Sequence, residues 1–337
     1  MLLIPSHQAP SAWSSNADCL PTRPKRESVT HCIKGLEVNL SANGINIEAQ
    51  DYGNPSDPCV LLLIGLGLQL TYWPRSMISG LVSQGYRVVV MDNRDAGLSK
   101  SFDELGVPNL LWSGLKQKFG FEVELPYTLE DMAQDALGVM SSLGIEKAHV
   151  MGMSMGGMIA QHMAICAPNR VRSLVSMMST SSASGLPAPE PLLLKKLFMT
   201  SVPKTQEAWI EQGIKAVQLL ASPAFKDDTA TVHSRVAQAI QRSLRPTGVV
   251  RQLAAVMADT QRSERLHLIQ SPTLVIHGDQ DPLIAPACGL DTHHRIAHSK
   301  WLPIEGLSHE IPFALVPTLL PHLLEFFNEH SSELFAR

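Results

Sequence analysis

The sequence predicts an α/β protein with a mostly parallel central sheet, and three observations carry that expectation. Short continuous apolar runs recur, as expected of strands covered on both faces: CVLLLI (59–64), YRVVVMD (86–92), AHVMGM (148–153), VRSLVSMM (171–178) and TLVIHG (273–278). Helical patterns separate the first four, giving the β-α-β-α-β order of a parallel sheet with helices on both faces. The alternation then breaks at SSASGLPAPEP (181–191), and the chain reads as helices alone until about 262 before strands return.

Taken in order, residues 1–30 are rich in Ser, Pro and Ala, lack periodicity and read as a mobile arm. The opening MLLIP is too short for a signal-peptide core. Residues 34–40 and 45–51 read as a strand pair turning at Ala42-Asn43-Gly44. A helix is expected over about 73–84, between the first two buried strands. The stretch 98–127 is an irregular insert carrying Leu110, Leu111, Trp112, Phe119 and Phe121, and its aromatic content predicts a packed lid. Residues 128–143 form a well-marked helix: Thr128 and Asp131 have capping spacing, and Leu129, Met132, Ala133, Ala136, Leu137, Met140 and Leu143 make one apolar stripe. MGGMIAQHMAICA (155–167) is the next helix, ended by Pro168. LLLKKLFM, AWIEQGIKAVQLLA, TVHSRVAQAIQRS and VVRQLAAVMA are the helices of the insert, KWLPI (300–304) is the last strand, and a helix follows over about 317–330. The expected domains are the arm (1–30), an α/β core (31–180 and 263–337) and a helical cap (181–262).

Composition narrows the function. A net charge of -4 shows no basic footprint, which argues against nucleic acid. Five cysteines at 19, 32, 59, 166 and 288 form no C-x-x-C and read as reduced thiols. No zinc-type cluster occurs, and the adjacent His293 and His294 are poorly placed to share an ion. The longest apolar runs, such as VLLLIGLGLQL, fall short of a membrane span, so a cytoplasmic protein is expected.

One motif carries chemistry. Gly152-Met153-Ser154-Met155-Gly156 is G-x-S-x-G at a predicted strand-to-helix junction, the context of a nucleophile elbow. There a strained turn pushes the hydroxyl clear of the sheet, and side chains two residues to either side would collide. The next helix turns its N-terminal N–H groups toward the same place, favouring an oxyanion. A serine needs a base, and the base needs a third group to hold it. In this architecture acid and histidine follow the serine in that order, each past a strand end. His309 is the histidine in a loop after the last strand; His322 and His330 belong to the last helix, and His293, His294 and His298 precede that strand. His277 sits at a strand end and reads as structural. The acid is Asp281 or Asp279; Asp281 is favoured because two more residues carry it toward the His309 loop, leaving Asp279 as a turn former.

These residues resemble the α/β-hydrolase superfamily over about 35–330. The likeness rests on LLLIGLGLQLTYW (61–73), DNRDAGLS (92–99), PYTLEDMAQDALGVMSSLGIEKAHVMGMSMGGMIAQ (126–161), HGDQDPLIAP (277–286) and GLSH (306–309). The wording is most similar to the esterase-type branch that includes aclacinomycin methylesterase-like and cofactor-free haloperoxidase-like sequences. The resemblance implies that 181–262 caps the site and that the backbone N–H groups of Leu66 and Met155 bind the oxyanion. Ile64 stands where the family commonly has histidine, and Asp95 where a glycine is common. Asp92 and Arg94 read as residues that order their loop.

The expected activity is hydrolysis of small hydrophobic esters by Ser154, His309 and Asp281 through an acyl-enzyme, with no metal or organic cofactor. The same three groups serve lactone or methyl-ester cleavage, carbon–carbon bond hydrolysis, acyl transfer and perhydrolysis seen as haloperoxidase activity. A serine nucleophile argues against the dehalogenase and epoxide-hydrolase branches, which use an aspartate there. The rival from another class is a ligand receptor that kept the fold without turnover.

Overall fold

A computed structural model describes residues 35–110, 112, 124–198 and 202–331. The arm expected over 1–30 lies outside these, as do Leu111, Phe119 and Phe121 of the 98–127 insert. Eight strands form one sheet in the order β1-β2-β4-β3-β5-β6-β7-β8. They are β1 (Leu36–Ala42), β2 (Ile45–Tyr52), β3 (Cys59–Leu63), β4 (Arg87–Met91), β5 (Ala148–Met153), β6 (Val171–Met177), β7 (Thr273–Gly278) and β8 (Lys300–Ile304). β3 to β8 run parallel, while β2 pairs antiparallel with both β1 and β4.

The first strand is displaced from the sequence expectation, running 36–42 rather than 34–40. Asn43 and Gly44 take the two positive φ values, 50° and 77°, of a tight hairpin, so Ala42 still pairs with Ile45.

The buried strands divide their side chains between two cores. Cys59, Leu61 and Leu63 of β3 face one, with helices α2 (Leu129–Ser142) and α3 (Met155–Cys166). Val60 and Leu62 face the other, with α1 (Arg75–Ser83) and the last described helix, Val316–Glu329. This alternation is why the runs lack polar residues. The capping box expected on α2 is present: Thr128 Oγ1 accepts from Asp131 N–H, and Asp131 accepts from Thr128 N–H. Methionine is dense at the middle of the molecule, where Met151, Met153, Met155, Met158, Met163, Met177 and Met178 are all buried.

Between β6 and β7 the described residues form helices and loops with no strand. α4 (Pro191–Phe198), α5 (Gln206–Leu219) and α6 (Thr229–Arg242) bury no residue completely. α7 (Pro246–Ala258) differs: Gly248, Arg251, Gln252, Ala254 and Ala255 are buried, and Ala255 joins the α2–α3 core.

The chain leaves β3 toward β4 through α1 on one face. It then returns past β3 to β5 through α2 on the other face. The loops after β3 and β5 therefore part at the carboxyl edge, and such a switch point opens a crevice where ligands bind in open α/β sheets. Among the described residues no helix is long and apolar enough to cross a membrane.

Candidate active site

Ser154 stands between β5 and α3 at φ 54°, ψ −121°. Such a conformation costs a non-glycine residue on the order of 1–3 kcal/mol, so its surroundings must hold it. Ser154 N–H donates to Met177 O at 2.9 Å, and Ser154 O accepts from Gly157 N–H at 2.9 Å and from Ser179 Oγ at 2.9 Å. The flanking glycines let the turn close: a Cβ on Gly152 would collide with Gly156 O, and one on Gly156 with Leu63 O.

The three side chains singled out in the sequence meet here. His309 Nε2 lies 3.0 Å from Ser154 Oγ, and His309 Nδ1 lies 2.7 Å from Asp281 Oδ2. Asp281 is buried, and burial alone raises a carboxyl pKa. The neighbouring His309 charge, the hydrogen bonds from His277 and His309 and the Ile284 N–H outweigh that and hold it below the usual carboxylate range. An ionised Asp281 fixes the proton on His309 Nδ1, leaving Nε2 to accept from the serine hydroxyl. The other oxygen, Oδ1, accepts from Leu283 N–H at 2.9 Å and Ile284 N–H at 2.8 Å.

The remaining polar groups of these loops have other duties. Asp279 accepts from Gly306 N–H at 2.7 Å, so it ties the β7 turn to the β8 turn. His277 Nε2 donates to Ile284 O at 2.8 Å and closes the Asp281 loop.

The loop after β3 passes beside the serine: a Cβ on Gly65 would stand 3.3 Å from Ser154 Cβ. Leu68 N–H donates to Gly65 O at 3.3 Å, closing a four-residue turn. Gly67 N–H donates to Gln252 Oε1 at 2.8 Å. Among the described residues nothing accepts from Leu66 N–H, and Met155 N–H, at the start of α3, has no acceptor within its helix.

The DNRDAGLS segment orders this edge. Asp92, fully buried, accepts from Leu70 N–H at 2.7 Å, Leu98 N–H at 2.9 Å and Arg242 Nη1 at 2.7 Å. Asn93 Nδ2 donates to Ile64 O at 2.9 Å. Arg94 forms a two-point pair with Asp135 of α2, at 2.6 and 2.7 Å. Asp95, at the glycine-like position, has φ 65° and accepts from Arg251 Nε and Nη2, both at 2.8 Å, and from Tyr127 OH at 2.7 Å. Sequence reasoning missed Arg242, Arg251 and Gln252 as partners of these loops. The available signal was the polar pair Arg251-Gln252 inside the otherwise apolar VVRQLAAV. Among the described residues no group of three or more His, Cys, Asp or Glu is arranged to hold a metal.

Residues 58–313 match the family model described as alpha/beta hydrolase fold. Rhodomycin D methylesterase DnrP of Streptomyces peucetius is 26% identical over 85% of this chain and 94% of its own length. A 2-hydroxy-6-oxononadienedioate/2-hydroxy-6-oxononatrienedioate hydrolase of a Pseudomonas species is 26% identical over 78% of this chain and 86% of its own. Among solved structures, the meta-cleavage product hydrolase CumD of Pseudomonas fluorescens superposes with a TM-score of 0.66 at 20% identity, covering 88% of this chain and 98% of that one.

Proposed function

The chain belongs to the alpha/beta hydrolase fold family, and from that membership we propose that it hydrolyses carboxylic esters of hydrophobic acyl or alcohol groups through an acyl-enzyme. The observation that carries this reading is the continuous hydrogen-bonded line from Ser154 Oγ through His309 to Asp281, 3.0 and 2.7 Å long in its two links. Ser154 Oγ attacks the ester carbonyl carbon while His309 Nε2 takes its proton. Asp281 keeps the imidazole in the useful tautomer and stabilises its protonated form. Charge gathers on the former carbonyl oxygen, which accepts from the N–H groups of Leu66 and Met155. Each such donor is worth on the order of 100-fold or more in rate. His309 then gives its proton to the departing alcohol, and a water activated by the same nitrogen releases the acid.

The helices of 181–262 act as the cap over this edge, with α6 and α7 tied to the strand-end loops through Arg242, Arg251 and Gln252. The likeness to a methylesterase directs the substrate choice toward a small alcohol leaving a larger apolar acid. A cytoplasmic location belongs to the same reading, supported by an odd number of widely spaced cysteines with no C-x-x-C.

Carbon–carbon bond hydrolysis is the second reading, favoured by the likeness to the oxononadienedioate hydrolase. A panel of p-nitrophenyl and methyl esters of rising chain length separates the two. Turnover that falls by about 10⁴-fold or more in Ser154→Ala, with fluorophosphonate labelling confined to Ser154, is expected. Ester turnover that survives Ser154→Ala overturns the proposal, and no turnover on any ester transfers it to the carbon–carbon branch.

A further inference from the structure

The loop that carries His309 leaves β8, which among the described residues is the end strand of the sheet. Leu307 and Ile311, both fully buried, anchor the loop in the core at two points. Between them stand Ser308, His309 and Glu310, all buried as well. Polar groups in such a place need partners, because a buried donor or acceptor left alone is costly. Among the described residues every hydrogen bond of Ser308 and Glu310 ends on one residue, Ser222, in the stretch between α5 and α6.

Ser222 is itself fully buried and uses both its backbone and its side chain. Its N–H donates to Glu310 Oε1 at 2.6 Å, and its Oγ accepts from Ser308 N–H at 3.0 Å. The hydroxyl keeps its own proton for the Glu310 carboxylate, which also takes a bond from this side chain. The residues directly before and after His309 are thus tied to one point. The same junction continues along the loop. Ala224 N–H donates to Gly306 O at 3.2 Å, Arg235 Nη1 donates to Ile311 O at 3.4 Å, and Asp227 Oδ1 accepts from Phe313 N–H at 2.9 Å. A Cβ on Gly306 would collide with Ala224 Cβ.

The bond from His309 Nδ1 to Asp281 Oδ2 does not fix the imidazole by itself. The ring can pivot about that contact, and a pivot changes the 3.0 Å between Nε2 and Ser154 Oγ. Anchoring the residues on both sides of His309 limits this motion. We propose that Ser222 is a positioning residue for the ester hydrolysis inferred above: by joining Ser308 to Glu310 it holds His309 where Nε2 meets the serine hydroxyl. The inference rests on that reading of the site. It makes the inserted stretch between β6 and β7 a support for the base as well as a cover for the site.

Three variants of the full chain test it. Ser222→Ala removes the acceptor of Ser308 N–H, Glu310→Met removes the acceptor of Ser222 N–H, and Glu310→Gln keeps that acceptor. Steady-state kinetics on a p-nitrophenyl ester and the rate at which diisopropyl fluorophosphate labels Ser154 are measured, with thermal unfolding as the fold control. The fluorophosphate is small, so its rate follows activation of the serine by its base rather than the fit of an acyl chain. Ser222→Ala and Glu310→Met should each lower kcat and the labelling rate together by about 10- to 100-fold, as a small misplacement of a reacting group does. KM should stay within about threefold. Glu310→Gln should recover most of what Glu310→Met loses. In the double variant Ser222→Ala/Glu310→Met the two losses should not add, because both act on the same three residues.

A labelling rate within about threefold of wild type in folded Ser222→Ala overturns the proposal, as does a loss confined to KM. If Ser222→Ala does not fold, the Glu310 pair decides, and equal labelling rates in Glu310→Met and Glu310→Gln are the overturning result. Wild-type protein that turns over no ester yet is labelled at Ser154 overturns the ester reading, and the labelling rates of the variants then judge Ser222 by themselves. Wild-type protein that is neither active nor labelled overturns both. Intact ester turnover with a silent Ser222→Ala overturns the role of Ser222 alone.

Discussion

His149 lies in β5, five residues before Ser154, yet it is wholly buried and takes part in none of the chemistry above. Its Nδ1 is 2.7 Å from Ser173 Oγ and its Nε2 2.8 Å from Ser331 Oγ, so it ties the end of the last helix to the sheet. Burial, with the Arg172, His330 and Lys147 charges adding to it, pushes its pKa down to about 3. A folded value below the unfolded one, near 6.5, means that the unfolded chain binds the proton first. The contribution to stability is therefore complete above pH 6.5 and is lost as pH falls from there toward 3, by up to about 1.4 kcal/mol per pH unit. Urea unfolding of wild type and His149→Gln at pH 7 and pH 5 measures this. The variant should lose less stability on acidification, and equal losses would contradict the assignment. The same residue marks a limit of sequence reading: a histidine in an apolar strand has no visible partner until Ser331, 182 positions on, is brought to it. Ser154, His309 and Asp281 were legible because each follows a strand end, and strand ends can be located from apolar runs. The choice between Asp281 and Asp279 came from reach alone. The Gly306 N–H bond of Asp279 now gives the physical reason for the division of labour.

At the scale of elements, α2 and α7 differ in how much their sequences disclose. The α2 pattern combined a cap, a stripe and a length, and the observed helix Leu129–Ser142 with its capping box follows it closely. What the stripe concealed was Asp135, buried among apolar neighbours and paired with Arg94. α7 read as one more amphipathic helix of the 181–262 stretch. Its buried glycine and polar pair set it apart from α4, α5 and α6, and only tertiary contact explains why. Gly248→Ala tests that contact by sign. Helix propensity alone would stabilise the variant by about 1 kcal/mol. The clash with Asp95 O should instead destabilise it by about 1–3 kcal/mol, as overpacking does. A lower midpoint in thermal unfolding is the expected outcome, and a higher one would mean that α7 stands off the loop.

For the molecule as a whole, the join between the inserted helices and the sheet edge is ionic as well as apolar. Arg251 and Asp95 are both buried, with side chains 1% and 0% exposed, and Arg251 also reaches Asp103 at 2.8 Å. Removing one member of such a pair leaves an uncompensated charge and typically costs 3–5 kcal/mol, roughly, whereas removing both costs far less. A double-mutant cycle with Arg251→Met and Asp95→Asn should therefore show the double variant more stable than the sum of the singles by about 2 kcal/mol or more. Additive singles would mean that the join does not depend on this pair. None of it was visible in sequence, where position 95 registered only as a departure from a usual glycine. The methionines buried within the two cores have a further consequence. Thioethers yield to peroxide only when solvent reaches the sulfur, and the sulfoxide that forms is polar and cannot return to a dry interior unchanged. Oxidative damage at the heart of this protein would thus accumulate through rare breathing of the fold, and each event would leave a polar group in a core built for thioethers.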